Sequence, residues 1–99
     1  MSTSPRACRL LPRAELDLEE IWLYSFERWG QAQADSYLGA FADAFEKLAD
    51  GRSTGRAVSI RRGYLEHAVG AHMVYFRILS DSIEIVRIPH QSMDTEHHL

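Results

Sequence analysis

The spacing of apolar residues changes once along the chain. Residues 12 to 49 repeat every three or four positions and residues 64 to 88 alternate every second one, so two helices precede a run of strands. Ala7 to Leu11 is a short strand candidate ahead of them. Pro12 suits the first helical position, where its missing amide hydrogen costs nothing, although Leu11 stands where Ser, Thr or Asp would usually cap. Glu15, Asp17, Glu19 and Glu20 crowd the first turns, at the positive end of the helix dipole. The first helix is predicted over Pro12 to Trp29, with Ala14, Leu18, Ile21, Trp22, Ser25 and Trp29 on its core stripe. Gly30 ends it, and Gln31 to Ala49 forms the second, with Ala34, Tyr37, Leu38, Phe41, Phe45 and Leu48 facing inward. So short a joint makes the two helices antiparallel. Gly39, inside the second helix, is unfavourable by roughly 1 kcal/mol against alanine.

Asp50 to Gly63 carries three glycines and four arginines without a regular period, and is the main loop. Tyr64 to Val69 then alternates, Gly70-Ala71 turns, His72 to Leu79 alternates again, and Ser80-Asp81-Ser82 turns once more. Ile83 to Ile88 is the last strand, stopped by Pro89. A helical hairpin ahead of an antiparallel sheet makes a two-layer α+β domain with one core and one open sheet face. The 99 residues form one domain that buries roughly 60 to 70% of its unfolded surface. Residues 1–6 and 91–99 are expected to be flexible or partner-ordered tails.

The net charge of −3 conceals an asymmetry. Through residue 50 five cations face nine acids, whereas Arg52, Arg56, Arg61, Arg62 and Arg77 face only Glu66 between 51 and 79. The middle of the chain is a basic island. Ten of the eleven cations are arginine, whose planar fork suits carboxylates and phosphates; a GC-rich coding bias would give the same count. Cys8 is the lone cysteine, which fits a reducing compartment and a small buried hydrophobe. Met1 to Arg9 lacks the apolar run of a signal peptide, and nothing approaches the ~20 apolar residues of a membrane span. The expectation is a soluble, cytoplasmic protein.

Several segments resemble a known family. Asp17-Leu18-Glu19-Glu20-Ile21-Trp22, the corner Trp29-Gly30-Gln31-Ala32-Gln33-Ala34, Val74-Tyr75-Phe76-Arg77, and the ending Ile85-Val86-Arg87-Ile88-Pro89-His90 with Met93-Asp94 and His98-Leu99 are similar to the ParE toxins of type II toxin-antitoxin modules, in the RelE/ParE superfamily. The likeness spans nearly the whole chain in the right order. It implies a β-α-α-β-β-β fold with a mainly antiparallel four-stranded sheet, the first strand beside the last, and the helical hairpin on one face. It also implies a plasmid-stabilisation toxin that arrests growth by blocking DNA gyrase and is silenced by a ParD-like antitoxin. Two positions depart from the family: Leu11 stands where a serine is common, and Pro89 where a leucine is.

The superfamily also contains ribosome-dependent mRNA endoribonucleases of the RelE type, the alternative reading. Metal-free RNA cleavage needs a base, an acid and cations on the phosphorane, for which Arg77, Arg87, His67, His72 and His90 are candidates. Alternation, however, points Arg77 and His72 to opposite faces of one strand. The ribonuclease branch resembles a site with several lysines and a C-terminal tyrosine, whereas Lys47 is the one lysine and no tyrosine follows Tyr75. No catalytic residue carries over. His97-His98 diverge on a helix or a strand and Cys8 lacks ligand spacing, so no metal or cofactor is expected; nor is sequence-specific nucleic-acid binding or a membrane partner. A binding function has two candidate surfaces. Leu16 and Leu23 lie opposite the core stripe of the first helix with Phe26 on the shoulder, suited to an amphipathic partner segment. Arg61, Arg62, Arg87 and His90 are expected near or on the uncovered sheet face, suited to an acidic partner, with a solvated loop end as the plain alternative for Arg61 and Arg62. Arg87 interrupts an apolar strand and must be paired or exposed.

Overall fold

The computed structural model describes residues 6–58 and 61–92. The chain runs β1 (Ala7–Leu10), α1 (Pro12–Trp29), α2 (Gln31–Ala49), β2 (Arg56–Ala57), β3 (Leu65–Val69), β4 (His72–Ile78) and β5 (Ser82–Arg87). One sheet of order β1-β5-β4-β3-β2 carries the helical hairpin on one face. β1 lies parallel to β5 and every other pair is antiparallel. Both helices occupy the predicted spans. The sheet has five strands instead of four, because Arg56 and Ala57 pair with Glu66 and Leu65. Two residues are too few to show alternation, so this edge strand was invisible within the main loop.

Leu11 offers no side-chain cap and Pro12 opens α1. Gly30 closes α1 and opens α2 alone, at φ 90° and ψ 177°, with its N–H donating to the Phe26 carbonyl at 2.9 Å. That region of backbone space is essentially open only to glycine, and it lets the hairpin reverse in a single residue. Gly70, at φ 56°, turns β3 into β4, and a Cβ there would meet the Tyr37 ring at 2.7 Å.

The core gathers Phe41, Phe45 and Leu48 of α2 against Val74, Phe76, Ile83, Ile85 and Ile88, with Ala14 and Ile21 from α1. The second helix buries the stripe its spacing predicts. In the first, the buried positions are Ala14, Asp17, Ile21 and Ser25, a line rotated from the expected one toward an acid. Trp29, expected inside, is 60% exposed; it lies in the final turn, stacked edge-on with Tyr24 and covered by Arg28. Where the expected tails are described, main-chain bonds hold them: Arg6 donates to the Ala49 carbonyl at 3.0 Å and Gln91 to that of Ala71 at 2.8 Å. The rest of both tails, with His97 and His98, lies outside the described residues.

Candidate functional site

Two of the grooves beside the helical hairpin differ sharply in chemistry. The first, about 680 Å³, runs between α1, α2 and β1 and is lined by Leu10, Leu18, Trp22, Leu23, Leu38 and Phe45 among others. Leu18, Trp22 and Leu38 are only partly covered, so residues assigned to the core by spacing form the walls of an open apolar trough. Trp22 fixes the wall by donating its indole N–H to Asp35 on α2 at 2.9 Å and stacking on Phe26 at 5.1 Å. Leu23 is 52% exposed on this rim.

The second groove, about 870 Å³, lies between α1, the start of α2 and the end of β5, and is the more polar of the two, with charged and imidazole side chains set among apolar ones. Asp17 is its electrostatic centre. The carboxylate accepts from Arg87 Nε at 2.8 Å, from Nη2 at 3.3 Å, and from the main-chain N–H of Ile88 at 2.8 Å. This buried acid sits on the α1 stripe because the β5 arginine and the amide just beyond that strand, 70 and 71 residues away, satisfy it. Across the groove His72 Nδ1 lies 2.7 Å from the Tyr37 hydroxyl, and its ring meets that of His90 edge-on at 5.3 Å. Burial, followed by the neighbouring His90, pushes the His72 pKa down to about 4, so the imidazole is neutral at neutral pH. Tyr24, Trp29 and Arg13 rim the opening.

On the other sheet face Arg77 pairs closely with Glu84, and this carboxylate holds the guanidinium above its ordinary range. Tyr64 lies against Arg77 at 5.6 Å and against Arg61 at 5.0 Å. Arg77 and His72 thus take opposite faces, as alternation requires. Among the described residues no group of three His, Cys, Asp or Glu side chains could hold a metal ion, and no helix is long and apolar enough to cross a membrane.

The expected binding residues do not form one surface. Leu16, Leu23 and Phe26 are all exposed on α1. Arg61 and Arg62 are exposed, with Arg61 drawn to Tyr64. Arg87 is not on the uncovered sheet face: it reaches α1 and is largely enclosed. Alternation along β5 already requires this, because Arg87 shares parity with Ile83 and Ile85, which are buried in the core under the helices. The register is also irregular here, Phe76 facing Ile85 and Tyr75 facing Arg87, which leaves Val86 as an extra residue. His90 follows Arg87 into the polar groove. Sequence reasoning missed the partnership of Asp17 and Arg87, although each carried a signal: an acid on the inward line of a helix and a cation within an apolar strand both demand a counter-charge.

A family model described as "ParE toxin of type II toxin-antitoxin system, parDE" matches residues 8–95. The chain belongs to this family. Among its relatives are the toxins named ParE1 of Mycobacterium tuberculosis, 38% identical over 91% of this chain and 94% of theirs, and of Caulobacter vibrioides, 39% identical over 92% and 95%. The fold recurs in a chain of the chromosomal ParDE system of P. aeruginosa, at a TM-score of 0.76 and 18% identity over 86% of this chain and 95% of that one. It recurs also in the RelBE2 toxin-antitoxin complex of Mycobacterium tuberculosis, at 0.65 and 20% identity over 89% and 100%. This chain is a ParE-type toxin of a toxin-antitoxin module.

Proposed function

We propose that this toxin acts in the cytoplasm by binding DNA gyrase, without catalysis of its own, and that a ParD-like antitoxin neutralises it. The observation carrying most weight is the family match over residues 8–95, joined to a surface suited to gripping partners. The apolar trough of Leu18, Trp22, Leu23 and Leu38 fits the hydrophobic side of an antitoxin segment, and its burial would contribute ~25 cal/mol per Å². The ParDE and RelBE2 neighbours are toxin-antitoxin assemblies, which supports such a partner. Exposed Arg61 and Arg62, within the basic island, suit an acidic antitoxin segment or a charged gyrase surface, with attraction that weakens as salt rises.

The RelE-type ribonuclease reading draws on the two imidazoles and Arg87 in one groove. Against it, the two candidate arginines, Arg77 and Arg87, are already committed to carboxylates, so neither guanidinium is free to meet a phosphorane. Purified toxin added to gyrase with relaxed plasmid should suppress supercoiling, and a ParD-like antitoxin should restore it. Cleavage of translating mRNA with supercoiling intact would establish the ribonuclease reading instead.

A further inference from the structure

A set of contacts ties the end of the described chain to the β3–β4 turn. Met73 N–H donates to the Pro89 carbonyl at 2.9 Å, Gln91 N–H to that of Ala71 at 2.8 Å, and the Gln91 side-chain amide to that of Gly70 at 2.7 Å. His72 and His90 form an antiparallel bridge between these segments. From the opposite side Tyr37 grips the same turn. Its hydroxyl accepts from Ala71 N–H at 3.1 Å and lies 3.1 Å from the Val69 carbonyl as well as 2.7 Å from His72 Nδ1.

The surroundings of the His72 ring disfavour its cation. His72 packs edge-on against Phe41, which is fully buried, at 6.0 Å, and against His90 at 5.3 Å. A proton on His72 would place charge against both rings and against any charge on His90. His90 Nδ1 accepts from Ser92 N–H at 3.1 Å and lies 2.8 Å from Ser92 Oγ, which fixes this ring within the docked segment. The ionisable neighbours offer little compensation. Asp17, on α1, favours the cation but is engaged by Arg87 and Ile88 N–H; Arg87 of β5 opposes it; Arg13 and Glu20 of α1 sit in the same groove with opposite signs; and Tyr37 of α2 is neutral.

We infer that His72, Tyr37 and His90 form an acid-sensitive latch, in which neutral His72 keeps the segment Pro89–Ser92 docked on the β3–β4 turn and its protonation releases that segment and opens one wall of the polar groove. The latch is independent of what the toxin binds. In the docked state His72 titrates at about 4, whereas a released, solvated histidine titrates near 6.5. The released state therefore takes up the proton first, and acid draws the equilibrium toward it.

Amide hydrogen exchange on the intact chain at pH 7 and pH 5, expressed as protection relative to the unstructured rate at each pH, tests the latch. Protection at Ala71, Met73 and Gln91 should fall on the order of tenfold at pH 5, following the gap between the two titration points, while Ile85 stays protected. His72→Gln, which keeps a neutral hydrogen-bonding side chain, should remove the pH dependence. Unchanged protection at pH 5, an equal fall in His72→Gln, or loss of the effect in His90→Asn alone would each overturn the assignment to His72. Should His72→Gln fail to fold, the ring-proton NMR titration of His72 in the unsubstituted chain decides. A midpoint below 6.5 that coincides with loss of protection supports the latch, and one at or above 6.5 refutes it.

Discussion

Arg87 and Arg77 each leave a β-strand to meet a carboxylate, yet their surroundings differ. The Arg87 and Asp17 side chains are 17% and 7% exposed and join β5 to α1 across 70 residues of chain. Those of Arg77 and Glu84 are 39% and 11% exposed and link neighbouring strands within one hairpin. The first pair replaces apolar packing between the two layers, and Ile88 N–H depends on the same carboxylate. The second borders solvent on the face away from the helices. An ion pair cut off from water is costly to break because the surviving charge is stranded, whereas one beside water can be rehydrated. The polar groove is therefore the region where charge shapes the fold most strongly, whereas on the opposite sheet face the paired Arg77 keeps contact with solvent.

Asp17→Ala is the sharpest way to break this contrast. It strands Arg87 and leaves Ile88 N–H unpaired, and should cost about 3 to 5 kcal/mol in denaturant unfolding. A loss no greater than that of a surface change would show that water already reaches the pair. Gly70→Ala comes next: the added Cβ meets the Tyr37 ring on backbone with positive φ, so a loss of about 1 to 3 kcal/mol is expected. Acid should weaken the groove selectively. Because the folded-state pKa of His72 is depressed to about 4, its contribution is fully present above the unfolded value near 6.5 and is lost as the pH falls from there through about 4. Relative to His72→Gln, the Tm of the unsubstituted chain should drop by roughly a few °C more between pH 7 and pH 4.5. Glu84→Gln, on the other face, should cost only about 1 kcal/mol. Leu23→Ser should change stability by less than about 0.5 kcal/mol while weakening antitoxin capture in a pull-down, which separates surface for partners from surface for folding.

Most of the architecture was legible in the sequence. The change of period placed both helices and three strands, and Pro12, Gly30 and Pro89 marked where elements begin and end. Parity placed His72 and Arg77 on opposite faces because β4 pairs regularly with β3 and the extra residue of the β4–β5 register lies on β5. The errors arose where local rules meet long-range contacts. Asp17 was read as a helix-dipole acid, since nothing near it in sequence reveals Arg87. Arg87 is different: it was given to the open face although it shares parity with Ile83 and Ile85, so the alternation of β5 already pointed it toward the helices. Trp29 was placed inside because a helical wheel contains no information on where the core stops. Of the candidate binding residues, exposure of Leu16, Leu23 and Phe26 followed from the wheel, while the separation of Arg61 and Arg62 from Arg87 and His90 depended on the tertiary fold.

The central claim is that this toxin stops growth by binding gyrase, with no bond cleaved by its own residues. A gyrase supercoiling assay with purified toxin measures this directly. Supercoiling should fall as toxin is added and recover on addition of a ParD-like antitoxin; full supercoiling activity at toxin concentrations that cleave ribosome-bound mRNA would contradict the claim.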